Sequence, residues 1–227
     1  MKIKDWNLFT ESSYSNSSIT ELCSPFFEEI ESIKNKNILY RGDFSVERGE
    51  KIGSKAYLIK SRKDRIPSET APEVSNLIDK FSKEKFGFKI RSEGLFTTKL
   101  HNVANGYGDA YIFLPVGDYK YVWNYNIDDL FVSIIDEDWY PDRYTQKEII
   151  DKEGFFDMKS YMSRDDVQSE VKKIVDKYII GDKHKSSLSE IGSQEVTFFC
   201  DQYILLETGY DIHKYMGMSK YVDPSDL

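Results

Sequence analysis

Several residues in this 227-residue chain are of types that carry chemistry. Asp128, Asp129, Asp136 and Asp138 lie close enough in sequence to hold magnesium for a nuclease, although such acidic runs more commonly form solvated faces. The run Asp136-Glu137-Asp138 starts as a calcium loop does. However, Tyr140 and Pro141 stand where a ligand and a glycine are needed, and Lys147 replaces the closing glutamate. His101, His184 and His213 are dispersed and HExxH is absent, which leaves a zinc site without support. Gly49 to Lys55 reads GEKIGSK, without the spacing that cradles phosphates, and GxSxG is missing. Cys200, between Phe199 and Asp201 in a strand pattern, reads as a small apolar residue and not as a nucleophile. Three further features are left: Arg41 before Gly42, the pair Thr97-Thr98, and Glu195 at the head of an apolar run. A guanidinium can grip phosphate oxygens bidentately, and a carboxylate can stabilise a developing cation.

Secondary-structure elements must position these groups, and their signals are uneven. Ser24 and Pro25 suit the start of a helix whose apolar face is Phe26, Phe27, Ile30 and Ile33, closed by Lys34 to Lys36. The Ser/Asn-rich stretch from Glu11 to Ser18 reads as a loop or cap. A strand follows at Asn37 to Gly42, then a charged loop with little regular structure from Asp43 to Glu69. Val74, Leu77, Ile78 and Phe81 predict a second helix from about Thr70, stopped by Gly87. Strand-like pieces come next at Phe88 to Arg91, Gly94 to Thr98, Ala110 to Val116 and Tyr119 to Trp123, with turns at Asn105-Gly106 and Gly117-Asp118. Asp128 suits the cap of a short helix through Leu130 and Val132. A third clear helix is predicted over Ser163 to Ile180, and a last strand over Glu195 to Leu206. Helices among scattered strands, without strand–helix alternation, indicate an α+β class and a single domain.

Composition narrows the function classes. Thirty-one Lys and Arg against 39 Asp and Glu give a net charge of −8, which argues against general electrostatic binding to nucleic acid. Fifteen per cent aromatic residues argue against disorder. The chain has no apolar run of transmembrane length, and its first residues, MKIKDW, lack the apolar block of a signal peptide. Two cysteines make no disulfide framework. The expectation is a cytoplasmic protein without membrane association.

The order of the remaining features resembles that of a known family. LYRG (Leu39 to Gly42), LFTT (Leu95 to Thr98) after Arg91-Ser92, and SQEVTFF (Ser193 to Phe199) look like the Arg / Ser-Thr-Ser / Glu signature of mono-ADP-ribosyltransferases, particularly small phage-encoded members. The connecting pieces DRIP, FGFKIRSEGLFTT and NGYGDAYIFLPVGDYKYVWNYNIDDL look similar too, so the resemblance spans roughly residues 37–206. It implies an ADP-ribosyltransferase-like α+β fold of two small antiparallel sheets packed near perpendicular with flanking helices. Residues 1–36 would form an N-terminal helical segment, 37–206 the catalytic-type core and 207–227 a tail. It also implies that NAD is the substrate, that no metal takes part, and that the acceptor is a host macromolecule, protein rather than nucleic acid. For a phage-encoded protein the compartment would be the host cytoplasm.

Carried across residue by residue, the resemblance makes Glu195 the catalytic glutamate and Thr97 the centre of the Ser-Thr-Ser element that orients it. Arg41, Gly42, Thr98 and Tyr107 would contact NAD: Arg41 through a phosphate, Gly42 by leaving room, and Tyr107 against the nicotinamide. In so acidic a chain the NAD site must be a local cationic pocket, centred on Arg41 with Arg65 or Arg91 as helpers. Breaking the nicotinamide–ribose bond places positive charge on the ribose. A carboxylate on the 2′-hydroxyl stabilises that charge more in the transition state than in the ground state. Two departures stand out: Ser193 replaces the family's usual Gln or Glu two positions before the glutamate, which weakens the case for an arginine acceptor, and Phe96-Thr97-Thr98 replaces Ser-Thr-Ser. The alternative is a non-catalytic protein of the same fold, such as an acidic inhibitor of a basic host factor.

Overall fold

The computed structural model describes residues 16–31, 38–44, 46–52, 55–66, 70–135, 137–141, 143–153, 155–181 and 187–208. Most of the expected tail, the first 15 residues of the N-terminal segment, and Asp136 lie outside the described residues. The protein is α+β, with several helices and a seven-stranded, open antiparallel sheet. Its chain divides into two compact units, one of Met1–Lys60, Leu100–Tyr119 and Cys200–Leu227, the other of Ser61–Lys99 and Lys120–Phe199. No helix among the described residues is long and apolar enough to cross a membrane.

The first unit starts with helices α1 (Asn16–Leu22) and α2 (Ser24–Glu31). The loop expected up to Ser18 therefore becomes helical from Asn16. Phe26, Phe27 and Ile30 are buried along α2, as their spacing predicts. Strand β1 (Tyr40–Asp43) pairs antiparallel with the start of β5 (Asp109–Trp123), Arg41 opposite Tyr111 and Gly42 opposite Ala110. The segment expected to be a loop after Asp43 instead holds a 3-10 turn at Val46–Arg48 and strands β2 (Glu50–Lys51) and β3 (Ala56–Lys60). Its mixed charges obscured a strand that pairs along Tyr203 to Leu206 near the end of the last strand, β7 (Val196–Glu207). Within this unit Phe113 of β5 packs on Tyr203 of β7.

The second unit is built on helix α3 (Pro72–Phe86). Proline in its first turn, Lys83 and Lys85 in its last, and Gly87 at φ +83° delimit it as the sequence predicts. Beside it lies α9 (Asp165–Asp176), which buries Val167, Val171, Ile174 and Val175. This helix stops four residues short of the expected Ile180. Lys85 Nζ donates to the carbonyls of Val175, Asp176 and Tyr178, capping its C-terminus with a cation. Ile179–Ile180 then form β6, which pairs with Val122 and Trp123 of β5.

Two other differences have local causes. The expected strand at Phe88 to Arg91 is replaced by helix α4 (Ile90–Glu93), because buried side chains of α3 cap its start. Asp79 Oδ1 accepts from Arg91 N–H at 2.7 Å, and Ser82 Oγ accepts from Ile90 N–H at 3.1 Å. The turn expected at Gly117-Asp118 is absent, since β5 runs unbroken from Asp109 to Trp123. Gly117 takes φ +65° with open space where a Cβ would stand, a kink that stays inside the strand. The remaining elements are β4 (Leu95–Thr97), α5 (His101–Asn105), α6 (Leu130–Ile135), α7 (Arg143–Glu153) and α8 (Met158–Met162).

Candidate functional site

The second unit brings Thr97, Thr98 and Glu195 together through one strand pair. β4 runs antiparallel to the start of β7, with Leu95 opposite Phe198, Phe96 opposite Thr197 and Thr97 opposite Val196. Thr97 Oγ1 donates to the Val196 carbonyl at 2.9 Å, so it fixes the backbone next to Glu195 and does not meet the carboxylate. Strand alternation places Phe96 and Thr197 on the opposite face from Thr97 and Val196. Thr98, the next residue, is buried.

Glu195 sits just before β7 and is held at both its backbone and its side chain. Its N–H donates to the Ile127 carbonyl, and its Oε2 accepts from Leu130 N–H at 3.2 Å. Its other oxygen, Oε1, is shut off from solvent and has no hydrogen-bond partner among the described residues. Burial pushes this carboxyl up to about 7. Arg91 and Leu130 N–H pull it back down, Asp129 pushes it further up, and Arg65 makes a small downward contribution.

The two arginines that act electrostatically on Glu195 share one aromatic platform. Arg91 Cζ lies 4.8 Å and Arg65 Cζ 5.3 Å from the centroid of the Phe96 ring. Arg91 is buried, and its Nη2 donates to Thr70 Oγ1 at 2.8 Å. Arg65 donates through Nη1 to the Gly94 carbonyl, and its backbone N–H to that of Ser92. Tyr178, buried just after α9, belongs to the same electrostatic group, with Glu195, Arg91 and Asp129 all acting on its hydroxyl.

The approach to Glu195 is pinned along its length. Lys99 Nζ donates to the carbonyls of Leu188 and Ile191, and burial lowers this amine to about 8. Ser193 Oγ donates to Asp128 Oδ1 at 2.7 Å. Gln194 folds back, accepting from Gly192 N–H and donating to the Tyr125 carbonyl. Tyr125 in turn donates to Glu190 Oε2 at 2.7 Å.

Arg41, Gly42 and Tyr107 fall in the first unit, where they too are neighbours. Arg41 Nε is 3.8 Å from Asp43 Oδ2, and its Cζ lies 5.9 Å from the Tyr203 ring centroid. A Cβ on Gly42 would collide with the Ala104 carbonyl oxygen and come within 2.8 Å of the Tyr107 carbonyl carbon. The space that Gly42 leaves open is therefore filled by the end of α5 and the turn after it. Gly108, at φ +130°, lets that turn lie on the Asp43 backbone. Tyr107 is 41 % exposed.

The expected residues thus form two groups, Thr97, Thr98 and Glu195 in one unit and Arg41, Gly42 and Tyr107 in the other. The sequence marks Arg91 and Arg65 only as helpers and Asp128 only as a metal or helix-cap candidate, and it gives no site role to Tyr178 or to the Leu130 N–H. Tyr178 reads there as one more apolar position on a helix face, and a backbone N–H leaves no sequence signal at all. Cys23 is buried and its thiol is pushed up to about 12, mainly by burial, while Cys200 is half-buried. No group of three or more His, Cys, Asp or Glu side chains among the described residues could hold a metal ion. Comparison with protein-family models, with curated proteins and with solved structures finds no match to this chain.

Proposed function

We propose that the protein is an NAD-dependent mono-ADP-ribosyltransferase, with Glu195 as its catalytic residue. The reading rests on one observation above the others. A carboxyl anchored by Leu130 N–H keeps a buried oxygen with no partner among the described residues, within the electrostatic influence of two guanidiniums and next to a strand that Thr97 fixes in place. That oxygen is available to accept from a ribose 2′-hydroxyl. In the reaction the bond from ribose C1′ to the nicotinamide nitrogen breaks, and its electron pair leaves with neutral nicotinamide. An acceptor atom then bonds to C1′ with its lone pair and gives up its proton. The charge on the ribose peaks between these events, where an ionised Glu195 acts most strongly. The ADP-ribosyltransferase-like fold and the choice of a protein acceptor belong to the same proposal.

The deciding experiment incubates the protein with NAD labelled on the adenylate side, with and without host lysate. Release of nicotinamide, together with label on a macromolecule, is expected. Absence of both release and transfer would overturn the enzymatic reading in favour of a binding protein.

A further inference from the structure

Folded proteins pair nearly all of their buried polar atoms, so several unpaired ones in one place need an explanation. The Glu195 side of the second unit has four. Arg91 Nε, Tyr178 OH, Glu195 Oε1 and Thr197 Oγ1 are all buried without a hydrogen-bond partner among the described residues. Arg91, Tyr178 and Thr197 are each at least 95 % buried. They are linked spatially as well as in kind. Phe96, which carries the Arg91 guanidinium on its ring, is the cross-strand partner of Thr197, while Tyr178 lies within electrostatic reach of both Arg91 and Glu195. Leaving such groups unpaired is costly, most of all for a charge. Packing gains nothing from them, because an apolar residue of the same shape would fill the same space.

The four groups also describe what would satisfy them. Arg91 Nε is a charged donor and calls for an anionic oxygen. Glu195 Oε1 is an acceptor and calls for a hydroxyl, and Tyr178 OH and Thr197 Oγ1 can each donate or accept. A ligand carrying an anionic group and neighbouring hydroxyls on one small frame meets all of these requirements. We infer that Arg91, Tyr178 and Thr197, together with Glu195, form a sugar–phosphate site, in which Arg91 takes a phosphate oxygen and Tyr178 and Thr197 hold sugar hydroxyls. Arg65, on the same Phe96 ring, adds a second positive charge to the phosphate side. The inference deepens the transferase reading, from which it takes NAD as the natural ligand. The unpaired atoms support it even if that reading fails.

Calorimetry on the full chain with ribose 5-phosphate, ribose and inorganic phosphate, in the absence of NAD, tests it. Ribose 5-phosphate is expected to bind at least tenfold tighter than ribose or phosphate alone. Tyr178→Phe should weaken it about 5- to 10-fold and Arg91→Lys about 10- to 100-fold, the ranges for a neutral and a charge-assisted hydrogen bond. Tyr178→Phe removes only a hydroxyl that has no partner among the described residues, so the melting temperature of the ligand-free protein should hold or rise. No binding of ribose 5-phosphate, equal binding of phosphate alone, or undiminished binding by folded Tyr178→Phe would each overturn the site. Arg91-dependent ribose 5-phosphate binding without nicotinamide release would retain the site and sink the transferase. Nicotinamide release that Tyr178→Phe and Arg91→Lys leave unchanged would do the reverse.

Discussion

Arg41 and Glu195 are both charged groups in half-buried or buried settings, yet their surroundings differ in kind. Arg41 has an aspartate beside it and an aromatic face beneath it, and Gly42 next to it is closed over by the end of α5. That neighbourhood is explained by the first unit's own packing. Around Glu195, its own Oε1 and the buried Arg91 Nε, Tyr178 OH and Thr197 Oγ1 have no hydrogen-bond partner among the described residues, and burial raises the carboxyl. Folding stability alone gives no reason for the second arrangement. Function is better sought where a fold leaves polar groups unsatisfied than where a motif residue is well packed.

The comparison breaks most sharply at Glu195 itself. Glu195→Gln keeps the shape and the bond from Leu130 N–H but removes the charge. We expect kcat for nicotinamide release to fall about 1,000-fold, roughly 4 kcal/mol in the barrier, with the fold intact by circular dichroism. A larger loss of kcat with Arg41→Ala than with Glu195→Gln would reverse the assignment. In the wild type, kcat/KM should rise with pH through about 7 as Glu195 ionises, and a profile flat from pH 5 to 9 would remove Glu195 from the chemistry.

Next in size is a purely structural effect in the first unit. Gly42→Ala forces a methyl against the Ala104 carbonyl and the Tyr107 backbone. Backbone atoms cannot turn aside as a flexible side chain can, so a loss of about 3 kcal/mol is expected, read as a drop in the urea midpoint. An unchanged midpoint would show that the space over Gly42 is free for a ligand after all.

A third test uses stability to sharpen the contrast from the other side. The Glu195 carboxyl is raised from an ordinary 4.5 to about 7, so between these values the unfolded chain has released a proton that the folded one retains. Stability therefore falls as pH rises through that window, and the deficit is complete above about pH 7. Glu195→Gln escapes it: the variant should match the wild type near pH 4.5 and exceed it by about 2 kcal/mol at pH 8. Equal urea midpoints at pH 8 would mean that the carboxylate is stabilised where it stands.

How much of this was legible in the sequence depended on whether the cause was local. Helix α3 could be read from Val74, Leu77, Ile78, Phe81 and Gly87, because periodicity and caps lie within the element. Helix α4 could not, because what caps it is Asp79 and Ser82 on another helix. The end of α9 was misplaced for the same reason, its cap being Lys85 from ninety residues upstream. Gly117 looked like a turn because a positive φ favours glycine in turns and bulges alike. In the site, Thr97-Thr98 and Glu195 were marked only by their order in the chain, and the pairing that sets Thr97 opposite Val196 is a long-range contact without a local signal. Arg91 had only its charge to mark it, and Tyr178 sat in an apolar pattern that concealed a hydroxyl.

The smallest effect probes that strand pair directly. Thr97→Val is nearly isosteric and β-branched, so it preserves strand propensity and removes only the bond to the Val196 carbonyl. A buried neutral hydrogen bond contributes about 1 kcal/mol, and stability should fall by roughly that amount. The resemblance gives Thr97 the orienting role, while the geometry lets it act only through the backbone that precedes Val196. The two origins separate in kinetics. If Thr97 orients Glu195 through the strand, Thr97→Val lowers kcat several-fold, leaves KM unchanged and does not shift the pH midpoint. The carboxyl then keeps its partners and loses only alignment. A shifted midpoint would instead mean that the threonine hydroxyl reaches the carboxylate during turnover, and that the strand face on which Thr97 sits in this structure is not the one it uses.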